Sequence, residues 1–108
     1  MDFNTYQNKA YETAVYPEAV RVSYPALGLA GEAGEVANQI KKIHRDDGGT
    51  PSEKRIQDVA HELGDLLWYI AALCTDLGLN MDDIASANID MLASRQERGT
   101  IHGDGDYR

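Results

Sequence analysis

Apolar positions recur along this chain with the period of a helix, and no pair of segments alternates in the two-residue rhythm of paired strands. Phe3, Tyr6, Ala10, Thr13 and Ala14 predict a first helix over residues 3–15, ending at Tyr16-Pro17 because proline disfavours helix in the residue before it. Residues 17–25 hold two prolines and read as irregular, with room for one short turn around Glu18 to Val22. Leu29, Ala33, Val36, Ala37, Ile40 and Ile43 form a clean stripe, predicting a second helix over 27–45 that Gly48 and Gly49 end. Thr50 as N-cap, Pro51 at the first helical position and Glu53 completing a capping box start the third. Its stripe runs from Ile56 through Val59, Leu63, Leu66, Leu67, Ile70 and Cys74 to Leu77, and Gly78 is placed as its C-terminal cap. A fourth helix starts near Asn80 and carries Ile84, Ala85, Ile89 and Leu92 before Gly99. The expected architecture is all-α, a four-helix-type bundle forming one domain over residues 1–108, with helices two and three antiparallel and 99–108 a glycine-rich tail.

Length changes this picture by implying a partner. A chain of 108 residues has a modest core, of the size at which oligomerisation commonly supplies further burial, so a homodimer or a dimer of dimers is expected. The net charge of −8 argues against a nucleic-acid duplex or an anionic membrane as partner, since both select basic surfaces. Cys74 stands alone, no apolar run reaches the ~20 residues of a membrane span, and the amino terminus lacks a basic stretch followed by an apolar one. A mature protein in the reducing cytoplasm is the expectation.

Two acidic pairs then dominate: Glu32 and Glu35 inside GLAGEAGEV, and Glu62 and Asp65 inside HELGDLLWY. Residues three apart share a helix face, so two such helices side by side would bring four carboxylates together, a hard-oxygen donor set for Mg²⁺ or Mn²⁺. A single such pair usually means a solvated face. Here neither pair has a lysine or arginine close by to neutralise it, and glycines inside the helical sequence, each costing about 1 kcal/mol against alanine, point to close approach of a helix or ligand. A di-iron carboxylate bundle would need Glu-x-x-His on two helices, and neither pair supplies the histidine.

The two acidic motifs with their flanks resemble the MazG-like branch of the all-α nucleoside triphosphate pyrophosphohydrolases, over most of the chain. The likeness continues through Asn88, Leu92 and Arg95, similar to that family's Asn-x-x-Lys-Leu-x-x-Arg segment with Met91 in place of the lysine, and into the Gly103–Arg108 ending. It implies hydrolysis of a nucleoside triphosphate to the monophosphate and pyrophosphate by water attack, with Mg²⁺ held by Glu32, Glu35, Glu62 and Asp65, and with Glu35 as the residue that orients or deprotonates the water. A non-catalytic protein that captures nucleotide or cation is the alternative.

Candidate substrate holders are Lys41, Lys42 and Arg95 for phosphate, Asn88 for sugar or base edges, and Trp68 for stacking on a base. Each has a structural reading beside it. Lysines in a last helical turn also interact with the helix dipole, and Trp68 suits the core. His61 next to Glu62 points about 100° away from it, His44 and His102 lack partners, and Cys74 falls on the apolar stripe, so none of these is expected to be catalytic.

Overall fold

The computed structural model describes residues 1–108. Four α-helices, α1 (Phe3–Tyr11), α2 (Ser23–Asp46), α3 (Glu53–Asp76) and α4 (Met81–Glu97), and a 3₁₀ turn at Glu18–Val20 make up the fold, with no strand. The expected all-α class and helix order hold. α2 and α3 lie antiparallel: Val22 meets Asp76 at one end of the pair, Gly28 meets Tyr69, and Gln39 meets Arg55 towards the other. α1 crosses α3, and α4 packs chiefly on α1. No helix is long and apolar enough to cross a membrane.

Three boundaries differ from the sequence reading. α1 ends at Tyr11, four residues early, because the carbonyl of Ala10 is taken by the Thr13 hydroxyl at 2.8 Å and by the Trp68 indole N–H at 3.0 Å, which fixes the chain in a turn. α2 starts at Ser23 and runs through Pro25, which is fully buried; the first turn of a helix needs no donor from that residue. The cap of α3 is Ser52, whose hydroxyl accepts from the Arg55 N–H at 3.1 Å, so Thr50 and Pro51 precede the helix. The other signals hold. Asn80 caps α4 by accepting from the Asp83 N–H at 3.0 Å, and Gly78 ends α3 at φ +70° while the Leu79 N–H reaches back to the Cys74 carbonyl.

The start of α2 has no side-chain cap of its own. Val22 sits at φ +68°, a strained γ-turn closed by the Ser23 N–H on the Arg21 carbonyl at 2.8 Å. Asp76, at the far end of α3 and with no exposed side-chain surface, accepts from the Val22 N–H at 2.9 Å, the Tyr11 hydroxyl at 2.6 Å, the Tyr16 hydroxyl at 2.8 Å and the Arg21 guanidinium at 3.3 Å. One carboxylate therefore joins α1, the 3₁₀ segment, α2 and α3, and its negative charge lies at the positive end of α2. Burial pushes its pKa up, but the hydrogen bonds from Tyr11, Val22, Tyr16 and Arg21 outweigh that and hold it below the usual carboxylate value.

The core beneath is small. Ala10, Ala71, Cys74 and Met81 form it, with Tyr6, Leu67, Trp68 and Ile70 packed around. Buried Gln7 clamps α4 to α1: its amide donates to the Leu79 carbonyl at 2.9 Å and its oxygen accepts from the Met81 N–H at 2.8 Å.

Replacing Asp76 with asparagine keeps the shape but removes the charge-assisted bonds, so Asp76→Asn is expected to lower unfolding free energy by about 3 kcal/mol in a urea titration. Because the folded-state pKa is lowered, the stability it confers is present above the unfolded carboxyl's pKa and is lost as pH falls through the folded one. The gap between wild type and variant should accordingly close on acidification below the ordinary carboxylate value of 3.8.

Candidate metal centre

Glu32 on α2 faces Glu62 and Asp65 on α3, and one carboxylate oxygen from each lies within 4.8 Å of the others. Glu32 and Glu62 are half-buried and Asp65 is exposed, so the group opens to solvent on one side. No lysine or arginine pairs with any of them; the ion pairs of the chain involve Glu18, Asp46, Asp47, Asp58 and Asp76. Oε2 of Glu32 is buried without a hydrogen-bond partner. Glu32 is held above the ordinary carboxylate pKa, first by a hydrogen bond shared with Glu62, then by burial and the charges of Asp65, Glu62 and Glu35. A half-buried carboxylate next to two others is satisfied either by a proton or by a cation, and three hard oxygen donors suit Mg²⁺ or Mn²⁺ rather than a softer metal. The residues fit such an ion.

Local packing explains why these three meet. One turn before Glu32, Gly28 leaves the space in which the Tyr69 ring lies, and a Cβ at that position would collide with the ring. Tyr69 is one turn beyond Asp65, so this close approach of ring to backbone registers the two acidic segments against each other. Tyr24 stacks on Tyr16 at 4.8 Å and lies 6.4 Å from Tyr69, whose ring meets Trp68 edge-on at 5.1 Å. Burial, then the charges of Tyr24 and Glu32, push the Tyr69 phenol up, so it stays protonated beside the carboxylates. No other helix approaches the remaining glycines of this region: Gly31, Gly34 and Gly64 meet nothing within 4 Å and leave open space along the acidic helices.

The remaining candidates scatter. Glu35 is exposed, one turn past Glu32, and outside the close group, though its charge reaches Glu32. Lys41 is exposed and Lys42 half-buried, with the Lys42 charge acting on Asp46 at the end of α2; at 1.5 Å per residue both stand about 14 Å along the helix from Glu32. Asn88 is exposed midway along α4. Arg95 is buried, donating to the Asp106 carbonyl at 2.6 Å and to the Met91 sulfur at 3.4 Å, so its guanidinium fastens the tail. Arg108 holds the same tail through the carbonyls of Thr100 and Ile101. Trp68 donates to the Ala10 carbonyl and, at 2.8 Å, to the Thr13 hydroxyl, tying the indole to α1. Sequence reasoning passed over Tyr6, Tyr24 and Asp76. Periodicity marked Tyr6 as core, and no spacing signal links Tyr24 or Asp76 to residues so distant along the chain.

Residues 24–100 match the family model described as MazG nucleotide pyrophosphohydrolase domain. The Gene 37 protein of Mycobacterium phage L5 is 41% identical over 114 aligned positions, covering 100% of this chain and 100% of that protein. No solved structure matches the chain.

Neutralising Glu32 removes a repulsion that the folded state alone feels. In EDTA at pH 8, Glu32→Gln is expected to melt at a higher temperature than the wild type. A raised folded pKa costs stability only above the unfolded value, so the advantage should fade as pH drops towards 4.5. Thermal unfolding across that range checks both parts.

Proposed function

The chain belongs to the MazG nucleotide pyrophosphohydrolase domain family, and from that membership we propose that it converts a ribo- or deoxyribonucleoside triphosphate to the monophosphate and pyrophosphate. The observation that carries the reading is the convergence of Glu32, Glu62 and Asp65 with no basic neighbour and with a buried oxygen of Glu32 left unpartnered. These three would hold Mg²⁺, with Mn²⁺ able to substitute. A bound ion of this kind polarises phosphate oxygens, offsets the charge of the leaving pyrophosphate and lowers the pKa of water.

The chain's own groups divide the remaining work. An acidic cleft on a protein of net charge −8 repels a free triphosphate, so productive substrate arrives only with cations. Glu35, outside the close group and open to solvent, is free to accept a proton from the attacking water. Tyr69, held protonated against Gly28, keeps α2 and α3 at the spacing the carboxylates need. Buried, unpaired Cys74 suits a reducing cytoplasm. Two observations favour a second reading, capture of nucleotide without turnover: Arg95 is committed to the tail, and Met91 stands where the resemblance to the family leads one to expect lysine.

The protein acts as an oligomer in this reading, a dimer or a dimer of dimers. Its radius of gyration is 16.8 Å, against about 13 Å for a compact chain of this length. Leu27 on α2, Leu63 on α3 and Ile89 on α4 are 74%, 49% and 66% exposed, leaving apolar faces that a second copy would cover.

Incubation with Mg²⁺ and a panel of triphosphates should release pyrophosphate and the monophosphate, and Glu35→Gln should lower kcat by about 10²–10⁴-fold. Orthophosphate as the product would sink the assignment, and binding without turnover would leave the capture reading. Sedimentation at micromolar concentration should give twice or four times the chain mass; a monomer there would overturn the oligomer.

A further inference from the structure

One apolar face of α3 is covered along only half its length. Ile56, Leu63, Leu67 and Cys74 repeat at helical spacing on that face. The carboxy-terminal half lies under α1, where Leu67 packs on the core and Ala71 and Cys74 are buried. The amino-terminal half has no such cover, and Ile56 is 52% and Leu63 49% exposed. Ile40 and Ile43 of α2 stand beside them, and with Val59 these residues line an apolar groove of about 270 Å³ at the loop end of the hairpin. Ile56 and Leu63 are turned about 100° to 180° round α3 from Glu62 and Asp65, so the groove is apart from the carboxylate group.

α4 offers a matching face. It packs chiefly on α1, through the side that brings Ala85 and Ile89 up to Phe3. Ile84 and Met91, seven residues apart and so on one face, are turned about 100° to 160° from Ala85 and Ile89 and are 43% and 40% exposed. Their separation is about 10 Å of helix rise, the same as that of Ile56 and Leu63. Charge favours the same pairing. Asp83 and Asp90 each precede one of these two residues and join no ion pair; at the groove, Asp46, Asp47 and Asp58 are already matched by Arg45, Arg55 and Lys54. Glu53 lies at the positive end of α3. That leaves Lys41 and Lys42, next to Ile40 and Ile43, as cations without an ion pair, and Lys41 is exposed. An acidic helix edge thus faces a basic groove edge, which fixes orientation on association.

We propose that α4 of one copy lies in the groove between α2 and α3 of a second copy, with Asp83 and Asp90 along the Lys41 and Lys42 edge; this rests on the oligomer reading and adds the surfaces that meet. The chain does not fill its own groove. Gln7 fixes the start of α4 beside Thr75, about 18 Å along α3 from Leu63, and α4 leaves that point against α1 rather than along α3. Two copies present two grooves and two such helices, so a reciprocal exchange closes as a symmetric dimer with no open end.

The test links the two faces chemically. Full-length Ile56→Cys and Ile84→Cys proteins, one carrying a mass tag, are equilibrated together and treated with a short bismaleimide, to which buried Cys74 is closed. The mixture should give a linked pair joining one variant to the other, and each variant alone should give almost none. If circular dichroism shows either variant unfolded, Leu63→Cys and Met91→Cys take their places. Links within one variant that match or exceed those between the two, or no link at all, overturn the proposal. Charge reversal provides a second check by sedimentation: Lys41→Glu with Lys42→Glu, or Asp83→Lys with Asp90→Lys, should each weaken association by about tenfold or more, and all four together should restore it. A quadruple variant no tighter than either pair overturns the placement of the charged rows. A wild type that sediments as a monomer sinks the oligomer reading itself, whereas a dimer linked in another way removes only the placement of α4.

Discussion

Asp76 is the constraint on which this fold depends. A chain with nine buried residues in 108 has little core to align its helices, and one carboxylate sheltered from solvent supplies the alignment by accepting from three segments at once. The charge is tolerable because donors surround it and because it faces the positive end of α2. It also sustains Val22 in a backbone conformation that a β-branched residue avoids. Without that anchor α2 would have no cap, and the register of α2 on α3 would lose its fixed end.

From that end the register is passed along an aromatic row. Tyr16 bonds Asp76 and stacks on Tyr24, Tyr24 lies beside Tyr69, and Tyr69 fills the space above Gly28 one turn from Glu32. Carboxylates repel one another, so packing elsewhere must bring them within 4.8 Å; here the hydroxyl, ring and glycine contacts do so. The stored repulsion is what a divalent cation would relieve, which is why a stabilising substitution at Glu32 is expected to be a disabling one.

The open faces complete the picture. Gly31, Gly34 and Gly64 border empty space, and the apolar residues of α2, α3 and α4 that a bundle would bury stay exposed. A helical hairpin with a short amino-terminal helix across one end holds the acidic group, while much of its apolar stripe faces outward.

Helix number and order were legible because they depend on short-range rules. A 3.6-residue stripe, an Asn80 cap, a Gly78 stop and acids three apart with no neutralising neighbour are local patterns, and the helices they predicted are present. Boundaries failed where a distant group intervened: the Trp68 indole at the end of α1, and Asp76 at the start of α2. The same reason separates the site residues. That Glu32 would face Glu62 and Asp65 follows from pairing two helices, but that Glu35 would stand apart and that Arg95 would turn into the tail depend on helix rotation and crossing. Those are set by long-range packing, and periodicity along one helix carries no information about its angle to the next.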